Sequence, residues 1–117
     1  SMTTVHANTC RDALARLETM VLMAGLDLPH RAIREQVAAT IDLVIQIERT
    51  TDGTRRITQI SEMVGLEETI YLQQDIFKLD ATSEHPLRHA ATGIIPKCID
   101  ALERRGLSVP LHLFQPE

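Results

Sequence analysis

The chain has 117 residues, of which 44% are hydrophobic but only 3% aromatic, with no Trp, and its formal net charge is -4. That length supports one domain with a modest, aliphatic core. The mild acidity and the interspersed Lys/Arg and Asp/Glu argue against a nucleic-acid platform, which needs a concentrated basic face and stacking aromatics. No apolar run approaches membrane-spanning length, and the N-terminus lacks the basic and apolar regions of a secretory signal. Cys10 and Cys98 stand far apart without a partner motif. They read as reduced packing thiols, and His30, His85, His89 and His112 show no zinc-ligand spacing with them.

In chain order, the first expected element is a short β-branched strand, Thr3-Thr4-Val5, ending at His6. A helix signal follows at once, and strand-to-helix junctions are where open α/β folds place ligand-contacting groups. Asn8 or Thr9 can cap that helix, with Asp12 in its first turn. Ala13, Leu14, Leu17, Met20, Val21 and Ala24 recur at helical spacing, with Arg11, Arg16 and Glu18 off the stripe. Gly25 is a natural stop, and Pro29 suits the first turn of a second helix carrying Ile33, Val37 and Ile41 on one face. Met20, Met23 and Met63 read as core or partner-facing packing.

The period then changes. Leu43, Ile45 and Ile47 alternate as in a strand, and Thr51-Asp52-Gly53-Thr54 contains the Asp-Gly hairpin signal. A return strand is expected over 55–64, a second turn over 65–68 and a third strand over 69–79, giving a three-stranded antiparallel meander. Residues 80–93 are polar, carry Pro86 and Gly93, and read as a loop. A last helix is expected over 95–105, with Ile95, Ile99 and Leu102 at i, i+4 and i+7 and Gly106 as its stop. The tail 107–114 is apolar enough to dock on the body. There is no internal repeat.

Two strings carry a family resemblance: Thr3-Thr4-Val5-His6-Ala7-Asn8, and Arg11-Asp12-Ala13-Leu14-Ala15-Arg16-Leu17-Glu18-Thr19-Met20. Together they resemble the histidine-box segment and following helix of the type II/type IV secretion ATPases, the branch that powers tight-adherence (Flp-type) pilus assembly above all. The likeness continues through Ile33-Arg34-Glu35-Gln36-Val37, Asp52-Gly53-Thr54-Arg55-Arg56-Ile57-Thr58, Leu72-Gln73-Gln74-Asp75-Ile76-Phe77 and Thr92-Gly93-Ile94-Ile95-Pro96-Lys97. It is collinear and covers nearly the whole chain. It implies an α/β fold that is the C-terminal part of a RecA-like P-loop ATPase domain. It also implies hexameric motors, cytoplasmic and peripheral to the bacterial inner membrane, that use ATP and Mg to drive pilus assembly or protein export. Partners would be further copies of the chain and inner-membrane platform proteins.

One departure is decisive for activity. The five glycines stand at 25, 53, 65, 93 and 106, and no Gly-Lys pair exists. A P-loop needs backbone N–H groups cradling the phosphates and a lysine on the β/γ oxygens. The chain is therefore expected to be the C-terminal portion of the motor, a single subdomain starting at the histidine box. By itself it should be inactive and need no cofactor.

By resemblance, His6 is the histidine-box residue that contacts the terminal phosphate or its water; by spacing alone it can equally be a strand-end histidine bonded to a local carbonyl. Asn8 either orients His6 or caps the helix. Arg11, Arg16 and Arg34 are candidate phosphate or ring-interface arginines, since a guanidinium is planar and always charged; the simpler reading is a solvated helix face with local ion pairs. Arg55-Arg56 reads as an edge-solubilising pair. A second class of function is a non-enzymatic module that binds secretion or pilus machinery through the meander edge and exposed Leu/Met surface. The strand ending at His6, stripped of neighbours, leads to the expectation of a homodimer, a swapped element or a rearranged N-terminus.

Overall fold

The structure, a computed structural model, describes residues 2–25, 27–80 and 88–116. It is mixed α/β: three α-helices and a four-stranded antiparallel sheet of order β1-β2-β3-β4 among the described residues. Helix α1 spans Cys10–Met23 and α2 spans His30–Thr40; β1 is Leu43–Arg49, β2 Arg55–Glu67, β3 Ile70–Asp80 and β4 Arg88–Ala91. Helix α3 is Cys98–Arg104, and a 3-10 turn follows at Leu111–Phe114.

The meander expected from the Asp-Gly signal is present, with corrections at its margins. The loop between β1 and β2 closes through Thr50 N–H donating to the Thr54 carbonyl at 2.8 Å. Asp52 braces it, accepting from Thr50, Thr54 and the Arg56 guanidinium, and these donors hold its carboxyl well below the usual range. Arg56 therefore braces the hairpin. Strand β2 runs on to Glu67 rather than stopping at 64, because Gly65 stays in the ladder and the turn shifts to Glu68, whose φ is 55°. The segment expected to be a loop over 80–93 contributes β4, which pairs with β3 through Phe77↔Ala91, Lys78↔Ala90 and Leu79↔His89. Its polar composition hid a short edge strand, a kind of strand that tolerates polar residues. His85 and Pro86 lie outside the described residues.

The expected N-terminal strand is not formed: residues 2–7 adopt no regular element and pair with no described strand. A strand exists only through its ladder, and β-branched Thr3, Thr4 and Val5 alone cannot supply one. The last helix is also shorter than expected. It starts at Cys98, so Ile95 precedes it and is exposed, while Pro96 is buried. Ile41 caps α2 rather than lying on its face.

Both faces of the sheet are used. Leu14 of α1 and Ile33 and Val37 of α2 bury against Met63 of β2, with Val44 and Tyr71 packed around them. On the other face, Ile76, Ile99 and Phe114 form a second cluster, where Phe77 and Phe114 meet with ring centroids 5.9 Å apart. The register explains Ile76. Ile60 pairs with Phe77 and Ser61 with Asp75, so Ile76 is the extra residue of a β-bulge. A bulge re-aims its side chain, and here it delivers Ile76 to α3 and the terminal turn.

The start of α3 is tied to this face by Glu62, which is buried. Its carboxylate accepts from Lys97 N–H at 2.8 Å, Cys98 N–H at 3.1 Å and the Gln74 amide at 2.8 Å. Cys98 itself is exposed, against the expectation of a packing thiol, while Cys10 is buried as expected. Replacing Glu62 by Ala strands those donors, and the expected loss is roughly 2–3 kcal/mol, as for hydrogen bonds to a charged acceptor. Urea unfolding of Glu62→Ala beside Glu62→Gln checks it: Gln, which keeps one acceptor oxygen, should recover part of the loss.

Candidate functional site

The site residues are arranged by the start of α1. Thr9 caps the helix, its hydroxyl accepting the Asp12 N–H at 3.0 Å; Asn8 stands outside the helix and leaves that role to Thr9. The Gln46 amide on β1 donates to the Ala7 carbonyl at 2.8 Å and so pins the segment before α1 to the sheet. Cys10 fixes the other side: its thiol donates to the Val44 carbonyl at 3.6 Å, and burial pushes its pKa up. Between the two anchors, His6, Asn8 and Arg16 border one shallow surface depression of about 450 Å³, together with Ala7 and Asp12. Arg16 lies on α1 below its first turn, so a guanidinium, an imidazole and an amide converge beside a helix N-terminus. That is a chemistry suited to an anion. The Asp12 carboxylate in the same depression opposes one.

The other two arginines lie elsewhere. Arg11 does not border this depression. Arg34 turns inward, its Nε donating to Glu18 Oε1 at 2.6 Å. Glu18 is buried, so the reading that placed it off the buried stripe is corrected. The same carboxylate oxygen accepts from the Tyr71 hydroxyl at 3.2 Å and lies 3.6 Å from His30 Nε2. Burial and then the Glu18 charge push Tyr71 up to about 12. The cluster clamps α1 to α2 and β3 and so sets the direction in which Arg16 and His6 are presented. Sequence reading missed it, though Glu18 sits four residues after Leu14 on the stripe that packs inward.

A second polar cluster lies under the start of α1. Asp75 accepts from the Gln59 amide at 2.6 Å, from the Ser61 hydroxyl and from Lys78 Nζ at 2.9 Å. The Gln59 side-chain Oε1 in turn accepts from Cys10 N–H at 3.5 Å. Burial works to raise the Asp75 pKa, but the donors from Ser61, Lys78 and Gln59 outweigh it and the value is lowered. Among the described residues no group of three His, Cys, Asp or Glu could hold a metal ion. No helix among them is long and apolar enough to cross a membrane.

Comparison with known proteins supplies a relation. No family model matches the chain. It is 32% identical to the probable conjugal transfer protein TrbB of Sinorhizobium fredii over 88 residues, 75% of this chain and 25% of that protein. It is 29% identical to the conjugal transfer protein TrbB of Rhizobium radiobacter over 82 residues, 70% of this chain and 24% of that protein. A putative conjugal transfer protein of Mycobacterium tuberculosis matches at 34% over 58 residues, 50% of this chain and 16% of that protein. The chain is therefore similar to conjugal transfer proteins, and it spans about a quarter of the length of the two TrbB relatives.

The lowered Asp75 pKa carries a pH dependence. An unfolded Asp binds its proton near pH 4, above the folded value, so in that window the unfolded state holds more protons. Stability from this network is complete above about pH 5 and is lost as pH falls through the folded pKa. Acid titration of thermal stability should show this slope, and Asp75→Asn should flatten it while lowering stability at pH 7.

Proposed function

We propose that the chain is the C-terminal part of a secretion ATPase of the type IV, conjugal-transfer kind, working in an oligomeric motor at the inner face of the membrane. The observation that supports this most is the likeness to conjugal transfer proteins along 70–75% of the chain. It coincides with the convergence of His6, Asn8 and Arg16 on one depression at the start of α1. The relatives are named for conjugal transfer, so that branch is proposed in preference to tight-adherence pilus assembly.

The nucleotide, with its magnesium, would supply the scissile phosphoanhydride. The residues present fit one edge of its phosphate tail and no more. His6 offers an imidazole N–H and Arg16 a guanidinium, and both can donate to an oxygen on which charge develops. Asn8 can hold the imidazole in one orientation through its amide. Arg11 is exposed on α1 and suits contact with a neighbouring subunit. Arg34, held by Glu18, orients the helix pair rather than reaching a ligand. The phosphate cradle must come from outside these 117 residues, because the sequence has no Gly-Lys pair. Catalysis here is positioning and electrostatics, which is how phosphoryl transfer is generally accelerated.

A second reading is favoured by a specific feature. Leu43, Ile45 and Ile47 form an apolar stripe on β1 that is 47%, 52% and 58% exposed. A patch of that kind marks a surface that meets other protein, as an interaction module for secretion machinery would need.

Two outcomes check the enzymatic reading. The 117-residue chain alone should hydrolyse ATP at no more than the background rate. In the longer protein, His6→Ala should lower kcat by about 10²–10³-fold with a small change in KM, the size typical of losing one donor to transition-state charge. Steady-state phosphate release measures both, and an unchanged kcat would remove His6 from the site.

A further inference from the structure

Two hairpins meet in this sheet, and they part at one end. Strands β1 and β2 stay paired as far as Arg49↔Arg55, and β3 and β4 as far as Asp80↔Arg88. Between them, the pairing of β2 with β3 begins only at Gln59↔Lys78 among the described residues. Residues 55–58 and 79–80 thus have no ladder partner on the sides that face each other. A notch of about 460 Å³ lies at this fork, within the size range of ligand sites. His89 borders it and ties it across. Its Nε2 lies 2.7 Å from the Ile57 carbonyl, which only accepts, so that nitrogen carries the proton.

The register sorts the side chains of the fork. Ile45↔Ile60, Ile47↔Ile57 and Arg49↔Arg55 follow one another in steps of two along β1, so they share a face. Ile60 lies opposite Phe77, which puts that face on the α3 side. Its middle is apolar, with Ile57 exposed and Ile60 and Phe77 half-buried. At its end Arg49 and Arg55 stand directly opposite each other. Both are exposed, and neither has a carboxylate partner among the described residues. Like charges so placed repel. Lys78 and Arg56 also border the notch, and Asp75 and Asp52 answer their charges at 2.9 Å. Arg56 Nε is nonetheless buried with no partner among the described residues. The fork therefore has cationic donors in excess of acceptors, beside an apolar surface.

We propose that the fork binds a short acidic segment of a partner protein, in which a carboxylate is flanked by apolar residues. The carboxylate bridges Arg49 and Arg55 and relieves their repulsion, as an anion between two guanidinium groups does. Its apolar neighbours rest on Ile57 and Ile60. Residues 55–58 offer both backbone donors and backbone acceptors toward the notch. A peptide answers both, whereas a phosphate supplies acceptors alone. The chain as a whole carries a net charge of -4, so these arginines form a local positive patch that steers an acidic partner to this end of the sheet. Arg49 and Arg55 lie on the sheet face opposite α1, and the proposal holds whether or not the chain meets a nucleotide at His6.

Titration of the 117-residue chain with the synthetic peptide acetyl-Leu-Asp-Leu-amide, followed by amide ¹H–¹⁵N NMR, tests it. Saturable shifts are expected at the amides of 55–60, 77–79 and 89. The counterpart acetyl-Leu-Asn-Leu-amide should bind about tenfold more weakly or worse, since it lacks the charged acceptor. Arg55→Ala should weaken the Asp peptide by a similar factor, and Arg55→Lys, which keeps the charge without the planar fork, by less. Arg31→Ala, on exposed α2, should change nothing. The amide spectrum of each variant shows whether it has folded, and Arg49→Ala repeats the test from the other strand. Vesicles of phosphatidylglycerol run in parallel. Four results would overturn the proposal. They are no shift up to the solubility limit of the peptide, equal binding of the Asn peptide, and undiminished binding by both folded alanine variants. The fourth is vesicles perturbing these amides while the peptide does not, which assigns the fork to a lipid surface.

Discussion

The pleat of β2 carries more of this structure than any other constraint. Ser61, Glu62 and Met63 are consecutive, and all three are buried. Side chains alternate across a strand, so Ser61 and Met63 face α1 and α2 while Glu62 faces α3. Met63 enters the first core cluster, and Ser61 donates to Asp75 beneath the start of α1. Glu62 holds the first backbone donors of α3 from the opposite side. A one-residue slip in this strand would send each to the wrong layer. Both helical layers are therefore referenced to the same three residues.

Bulges refine that reference. The pairing of Gln46 with Gln59 and Ile47 with Ile57 leaves Thr58 as an extra residue, just as Ile76 is extra in β3. Each bulge bends its strand and adds twist. The one at Ile76 allows Asp75 to serve the α1 side while Ile76 and Phe77 serve the α3 side. The polar clusters then set what the start of α1 presents. Glu18 joins Arg34 and Tyr71, so α1 is clamped at its middle. Thr9, Cys10 and Gln46 fix its beginning. Between those clamps, His6, Asn8 and Arg16 stand on solvent-facing positions with their local backbone held. Exposed polar groups on a held backbone are what the proposed site would need.

Much of the fold was legible without coordinates, for local reasons. The spacing of Ala13, Leu14 and Leu17 marks α1, and Ile33 and Val37 mark α2, because a helix buries one side of a 3.6-residue period. Asp52-Gly53 marks the hairpin because Gly53 takes a φ of 85° that other residues avoid. Strand β4, carrying His89 and Ala90, was missed because edge strands need no apolar pattern. The buried carboxylates Glu18 and Glu62 were missed as well. Sequence pattern assigns a charged residue to the surface unless its partner is known, and Arg34 and the N–H groups of Lys97 and Cys98 lie 16 to 36 residues away.

The sequence by itself determined the elements whose cause is local: two amphipathic helices, an Asp-Gly hairpin in a meander, and a chain without a Gly-Lys pair for a phosphate cradle. It also placed His6, Asn8 and Arg16 close together across a helix start. Tertiary structure decided the rest. It brought Arg34 inward to Glu18 and away from the surface that holds Arg16. It also left Thr3, Thr4 and Val5 without the ladder that β-branched residues suit. A helix can satisfy its hydrogen bonds from its own sequence, whereas a strand depends on what lies beside it, and only the folded arrangement shows whether a neighbour is there.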